Sequence, residues 1–84
     1  MTKSQYRHFE NIPFGRRLYR AIRAKGMNQT QFCRALHLDR GRCSEYVNEK
    51  RMPSVENVVK YARFLECSVD FLLGLSDEMK IQGD

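Results

Sequence analysis

Asn28 to Asn48 reads NQTQFCRALHLDRGRCSEYVN, and the architecture turns on this stretch. Asn28 offers a side-chain oxygen to the amides of a helix starting at Gln29, and Gln31 three residues later completes an Asn-x-x-Gln capping box. Phe32, Cys33 and Leu36 recur at helical spacing. This helix can run only to about Leu36, because Leu38 and Asp39 already read as the approach to the next one, with Asp39 as its N-cap. That next helix spans about Arg40 to Asn48.

Two helices joined by His37 to Asp39 alone cross at a steep angle, as in a helix-turn-helix. Upstream, Phe14, Leu18, Ala21 and Ile22 share a stripe of a helix that starts near Pro13 and stops at Gly26, while Arg16, Arg17, Arg20 and Arg23 take its other faces. Downstream, Ser54 caps a fourth helix carrying Val55, Val58, Val59, Ala62 and Leu65. Ser68 caps a short fifth helix with Val69, Leu72 and Leu73, ended by Gly74. The expectation is an all-α, compact five-helix domain over residues 13–75, with an N-terminal arm (1–12) and a short C-terminal tail (76–84), both partly loose.

Eighty-four residues make one domain, and 42% hydrophobic with 30% charged residues excludes both a disordered polar chain and a membrane protein. No apolar run approaches the ~20 residues that cross a bilayer, and MTKSQYRHFENIPF lacks the apolar stretch of a signal peptide, so a cytoplasmic chain is expected. Cys33, Cys43 and Cys67 are odd in number and lack CxxC spacing, so they read as buried thiols rather than a disulfide framework or zinc site. His8 and His37 are too isolated for a metal site, and no cofactor or small-molecule ligand is indicated. The net charge of +5 is uneven: residues 1–51 hold twelve Lys/Arg against four acids, and residues 52–84 hold three against six. Such asymmetry fits a face built for a polyanion, or a solubilising surface.

At 100° per residue, Cys43, Tyr46 and Val47 fall on the core side of the third helix. Gly41, Ser44, Glu45 and Asn48 fall opposite, flanked by Arg40 and Arg42. Gly41 costs roughly 1 kcal/mol relative to Ala inside a helix, which close approach to another surface would explain. Arginines at the N-terminal end of a protruding helix suit a major groove, where each can donate two hydrogen bonds to guanine. Glu45 can accept from cytosine or form an i, i+3 ion pair with Arg42.

FGRRLYRAIRAKGMNQTQF, HLDRGRCSEYV, NEKRMPSVENVVKYARFL and CSVDFLLGLSD, in this order and spacing from Phe14 to Gly74, resemble the Cro/Xre-type helix-turn-helix repressors of bacteria and their phages. The resemblance implies a lambda-repressor-like fold, a double-stranded DNA operator, a homodimer and a role in transcriptional repression. It implies base-reading positions at Arg40, Gly41, Ser44 and Glu45, with Arg42 beside them reaching base or phosphate. Phosphate contacts are implied at Gln29, Asn48, Lys50 and Arg51, and more weakly at Arg16 and Arg17; Gln29 also reads as an ordinary first-turn residue. Phe71, Leu75, Met79 and Ile81 are dimer contacts, or Phe71 and Leu75 complete the core. Lys3, Arg7 and His8 form an arm that touches DNA, or a segment that packs on itself.

Four positions depart from that pattern. His37 and Glu49 stand where glycine is frequent, the former in a left-handed turn, while Asp39 replaces Ser or Thr and Val47 replaces Glu. Glu49 beside a backbone-gripping loop is unfavourable for DNA unless it points away. A second reading is an antitoxin-like module that binds a toxin protein and autoregulates its operon. Enzymatic activity is not expected, because no nucleophile, base and orienter recur at workable spacing.

Overall fold

The computed structural model describes residues 12–80. Among them the chain forms α1 (Phe14–Ala24), α2 (Gln29–Ala35), α3 (Arg40–Val47), α4 (Val55–Leu65) and α5 (Val69–Leu73), and no strand. Four helices start on the side chains expected to cap them. Asn28 and Gln31 exchange two 2.8 Å bonds, side chain to backbone amide in each direction. The side chains of Asp39, Ser54 and Ser68 accept from the amides of Arg42, Asn57 and Phe71. The exception is α1, whose N-cap, Pro13, makes no side-chain cap.

All five helices end in the same way. Gly26, His37, Glu49, Glu66 and Gly74 have φ between 55° and 83°, and the amide that follows each reaches back to a carbonyl in the last turn. The pairs are Met27 to Ile22, Leu38 to Cys33, Lys50 to Glu45, Cys67 to Ala62 and Leu75 to Asp70, the pattern of a Schellman terminator. The two glycines take this left-handed conformation freely, whereas the other three carry a Cβ against its preference. His37 at φ 55° is the left-handed turn expected between α2 and α3.

The central element is α1, which packs on α2, α3 and α5 and buries Phe14, Leu18, Ala21 and Ile22. Phe32 from α2 meets the Tyr61 ring edge-on at 5.6 Å and Phe64 at 6.0 Å, so the aromatic centre joins α2 to α4. The buried stripe of α4 begins one turn later than its spacing suggested: Val58, Tyr61, Ala62 and Leu65 are inside, while Val55 is 79% exposed. Tyr61, not Val55, completes the i, i+3, i+4, i+7 set.

Gly15 allows a closer contact than any side chain would. A Cβ there would lie 2.6 Å from the Tyr46 carbonyl oxygen and from Glu49 Cγ, and nearer still to the Val47 oxygen. The first turn of α1 therefore rests directly on the last turn of α3.

Contrary to the expectation from their number and spacing, the cysteines are not three free thiols. All three are buried, but Cys33 and Cys43 form a disulfide, with Cα atoms 6.3 Å apart, and Cys67 alone is a free thiol. The core-facing positions of two successive helices bring the sulfurs together, a juxtaposition that cysteine count and spacing do not reveal. Burial pushes the Cys67 thiol up to about 11.

Residues 76–80, expected as part of a loose tail, are tied to the domain. The Ser68 amide donates to the Met79 carbonyl at 2.8 Å, and Arg17 Nη1 donates to the Ser76 carbonyl at 2.8 Å. Met79 packs against the core. Residues 1–11 and 81–84, including Lys3, Arg7, His8 and Ile81, lie outside the described residues.

Candidate nucleic-acid interface

The rotation of α3 is the one its residue pattern requires. Cys43 and Tyr46 are 0% and 4% exposed, while Arg40, Gly41 and Arg42 are exposed and Ser44 and Glu45 half-buried. Tyr46 packs near Tyr61, with ring centroids 6.3 Å apart, and burial raises the Tyr61 phenol above its ordinary value of 10, with Tyr46 adding to the effect.

The N-terminal end of α3 is organised by Asp39, whose Oδ2 accepts from the Arg42 amide at 3.1 Å. A Cβ on Gly41 would come within 3.1 Å of that same oxygen and meet nothing else. Glycine here leaves room for the cap and leaves the outer face of the helix open. Between α2 and α3 lies a polar depression lined by Gln29, Thr30, Arg40, Gly41 and Ser44, with Cys33 also on its wall. The capping box occupies Asn28 and Gln31, which leaves Gln29 at its rim.

The other expected contact residues divide by what holds them. Glu45 does not pair with Arg42 here; its Oε1 lies 3.2 Å from Arg51 Nε. Asn48 turns its amide nitrogen back onto the Ser44 carbonyl and hydroxyl at 2.9 and 3.1 Å. Lys50 is exposed, one residue past the terminator of α3. Arg16 donates its Nε to Glu49 Oε2 at 3.1 Å, though its side chain is still 72% exposed.

Arg17 is the most committed. Its guanidinium stacks 4.5 Å over the Phe71 ring and donates to the Ser76 carbonyl and to Asp77 at 2.9 Å, with a side chain 16% exposed. These bonds use the donors that a phosphate would need, and they face the C-terminal segment.

Glu49 shows what its departure from glycine does. Its Oε2 accepts from the Arg16 amide at 3.0 Å as well as from the guanidinium. It caps the helix that Pro13 leaves uncapped and adds negative charge at an N-terminus, where the helix dipole favours it. The carboxylate is thereby drawn toward α1. Neither this cap nor the Gly15 contact was foreseen from sequence; the available signal was a glycine one residue inside a helix. Thr30 was also missed, although it follows Gln29 in the first turn of α2.

A family model described as helix-turn-helix matches residues 17–72, two-thirds of the chain. The chain is a Cro/C1-type helix-turn-helix protein. No curated protein and no solved structure matches it. The family is one of DNA-binding transcription regulators rather than enzymes, and its ligand is double-stranded DNA. In this helix-turn-helix protein the matched span runs from Arg17 in α1 to Leu72 in α5. It takes in both helices of the turn and the three that carry them. No helix among the described residues is long and apolar enough to cross a membrane.

Proposed function

We propose that this chain is a sequence-specific transcriptional repressor that inserts α3 into the major groove of operator DNA. The observation that carries the reading is the rotation of α3, which keeps Cys43 and Tyr46 inside and leaves Arg40 and Arg42 at the exposed N-terminal end. Arg40 and Arg42 read guanine edges, Ser44 lies beside them, and Gly41 lets the helix approach the bases closely. Glu45 steers Arg51 rather than reading a base, because its carboxylate already holds that guanidinium. Lys50 and Arg51 meet phosphate as the chain leaves the groove, and Gln29 meets it from the first turn of α2. Asn48 closes the helix at this edge. Arg16 stands at the rim, and Arg17 serves the C-terminal segment instead of DNA.

The protein acts as a symmetric homodimer in the cytoplasm of a bacterium or of a phage-infected cell. One recognition helix spans only a few base pairs, whereas two about a two-fold axis read half-sites roughly 34 Å apart. Among the described residues Leu75, 75% exposed, offers an apolar C-terminal side chain for that contact, whereas Phe71 is wholly in the core.

Selection from random duplexes, followed by titration of the selected and a scrambled duplex, tests the reading. Arg40→Ala or Arg42→Ala lowers the preference for the selected duplex, with at least one losing about 1–3 kcal/mol. Lys50→Ala weakens both duplexes alike and lowers the salt slope by about one. Equal losses on both duplexes for the two arginine variants, or a flat titration at low salt, would remove the base-reading role.

A further inference from the structure

The disulfide joins the two helices whose mutual placement sets the DNA-reading face. Cys33 belongs to α2 and Cys43 to α3. The two ends of α3 are anchored differently. Its C-terminal turn is held by the close contact with Gly15 and by Tyr46 in the core. In its N-terminal half the one buried residue is Cys43, with Arg40, Gly41 and Arg42 all exposed. The half that presents the arginines is held to the domain by the enclosed Cys43 and its bond to Cys33, with the Asp39 cap and the Leu38 amide, bonded to the Cys33 carbonyl, on its N-terminal side.

The two cysteines also differ in their surroundings. Cys43 is fully enclosed, while Cys33 lies on the wall of the open depression between the helices, together with Arg40. A positive side chain at the mouth favours approach of a thiolate. A protein that works on DNA works where low-molecular-weight thiols keep cysteines reduced, so a disulfide there is conditional rather than a permanent staple.

We infer that Cys33–Cys43 is a thiol–disulfide switch that sets the order of the N-terminal half of α3, and through it the affinity for operator DNA. The second part rests on the function proposed above. A small-molecule thiolate attacks Cys33 Sγ; the Sγ–Sγ bond breaks, its electron pair leaves on Cys43 Sγ, and that sulfur takes a proton from solvent. A second thiolate attacks the small-molecule sulfur of the mixed disulfide, so that the bond to Cys33 Sγ breaks and the small-molecule disulfide leaves, with a Cys33 thiolate that is protonated in turn. The net change is one protein disulfide plus two thiols giving two protein thiols plus one small-molecule disulfide, and the reverse exchange closes the bond. Cys67 is bonded to neither of them, and burial raises its thiol to about 11, which leaves it a poor source of thiolate for the exchange.

The test uses the whole chain equilibrated in glutathione buffers of graded reduced-to-oxidised ratio, with the bond state read by mass spectrometry after alkylation. Two properties are followed: amide hydrogen exchange along α3, and affinity for a selected duplex. On opening, exchange speeds up at Cys43 to Val47, whose amides donate to carbonyls of residues 39–43, while Asn48, Glu49 and Lys50, bonded to Ser44, Tyr46 and Glu45, stay protected. A reading face correctly placed about a tenth of the time weakens the apparent affinity about ten-fold. Cys67→Ala keeps both responses, and Cys33→Ser loses the dependence on the buffer. Exchange that does not change between the two states overturns the switch, as does affinity that stays constant while exchange changes. If neither state binds any duplex, the proposed function fails, and the exchange profile alone decides whether the tether opens.

Discussion

The two ends of α1 are each met by a glutamate that closes another helix in a left-handed conformation, Glu49 after α3 and Glu66 after α4. At the N-terminal end, the Glu49 carboxylate accepts from the Arg16 amide and guanidinium, with its side chain 29% exposed. At the C-terminal end, the Glu66 carboxylate pairs with the Lys25 ammonium, with its side chain 75% exposed. Both glutamates stand where glycine would relax the backbone, but only one of them supplies an otherwise missing helix cap. The difference teaches that a strained terminator is compensated when its side chain satisfies a backbone group, and much less when it adds a charge pair in water. It also places the stronger junction beneath α3, where the first turn of α1 rests on the last turn of that helix.

The most drastic way to break the N-terminal junction is Gly15→Ala. The added methyl meets backbone oxygens of Tyr46 and Val47, which cannot swing aside as a side-chain tip can. A loss of about 3 kcal/mol is expected in chemical denaturation, at the upper end of what overpacking costs. A variant within about 0.5 kcal/mol of the parent, the range of an ordinary surface change, would mean that α1 and α3 do not touch there.

Two substitutions at Glu49 separate the cap from the strain. Glu49→Ala removes the bonds to Arg16 and keeps the left-handed backbone, so it loses about 1–2 kcal/mol, a cap plus a favourable charge at a helix N-terminus. Glu49→Gly loses the same bonds but recovers about 1 kcal/mol of backbone strain. Thermal melts therefore rank the parent close to the glycine variant and the alanine variant below both. Equal stability of the two variants would show that φ of 61° costs Glu49 nothing.

Much of this arrangement was legible in the chain because it follows from local rules. The caps at Asn28, Asp39, Ser54 and Ser68, the stops at Gly26 and Gly74 and the inward turn of Cys43 each depend on neighbours within about one helical turn. What escaped depends on pairs far apart. Glu49 reaches Arg16 across thirty-three residues, and Arg17 reaches Ser76 across fifty-nine. The Cys33–Cys43 bond needed the crossing of two helices, and Glu45 chose Arg51 over Arg42 because the terminator of α3 turns the chain back beside it. A helical wheel ranks faces but does not say which distant side chain arrives at them. Among the proposed DNA contacts, exposure of Arg40 and Arg42 followed from the wheel, whereas the engagement of Arg17 did not.

The smallest expected effect lies at the C-terminal end of α1. Lys25 holds the Glu66 carboxyl below its ordinary value, so the pair contributes above that ordinary range and is lost as pH falls through the lowered value. Because both groups are at the surface, salt screens what remains. Glu66→Gly relieves the left-handed backbone and gives up only this pair. Its melting temperature should therefore lie slightly above the parent's at neutral pH, and further above it in acid, where the parent has already lost the pair. Glu66→Ala keeps the strain and gains nothing. If the glycine variant instead melts below the parent at neutral pH and moderate salt, the Lys25 pair outweighs the backbone, and the two ends of α1 are held by interactions of similar strength.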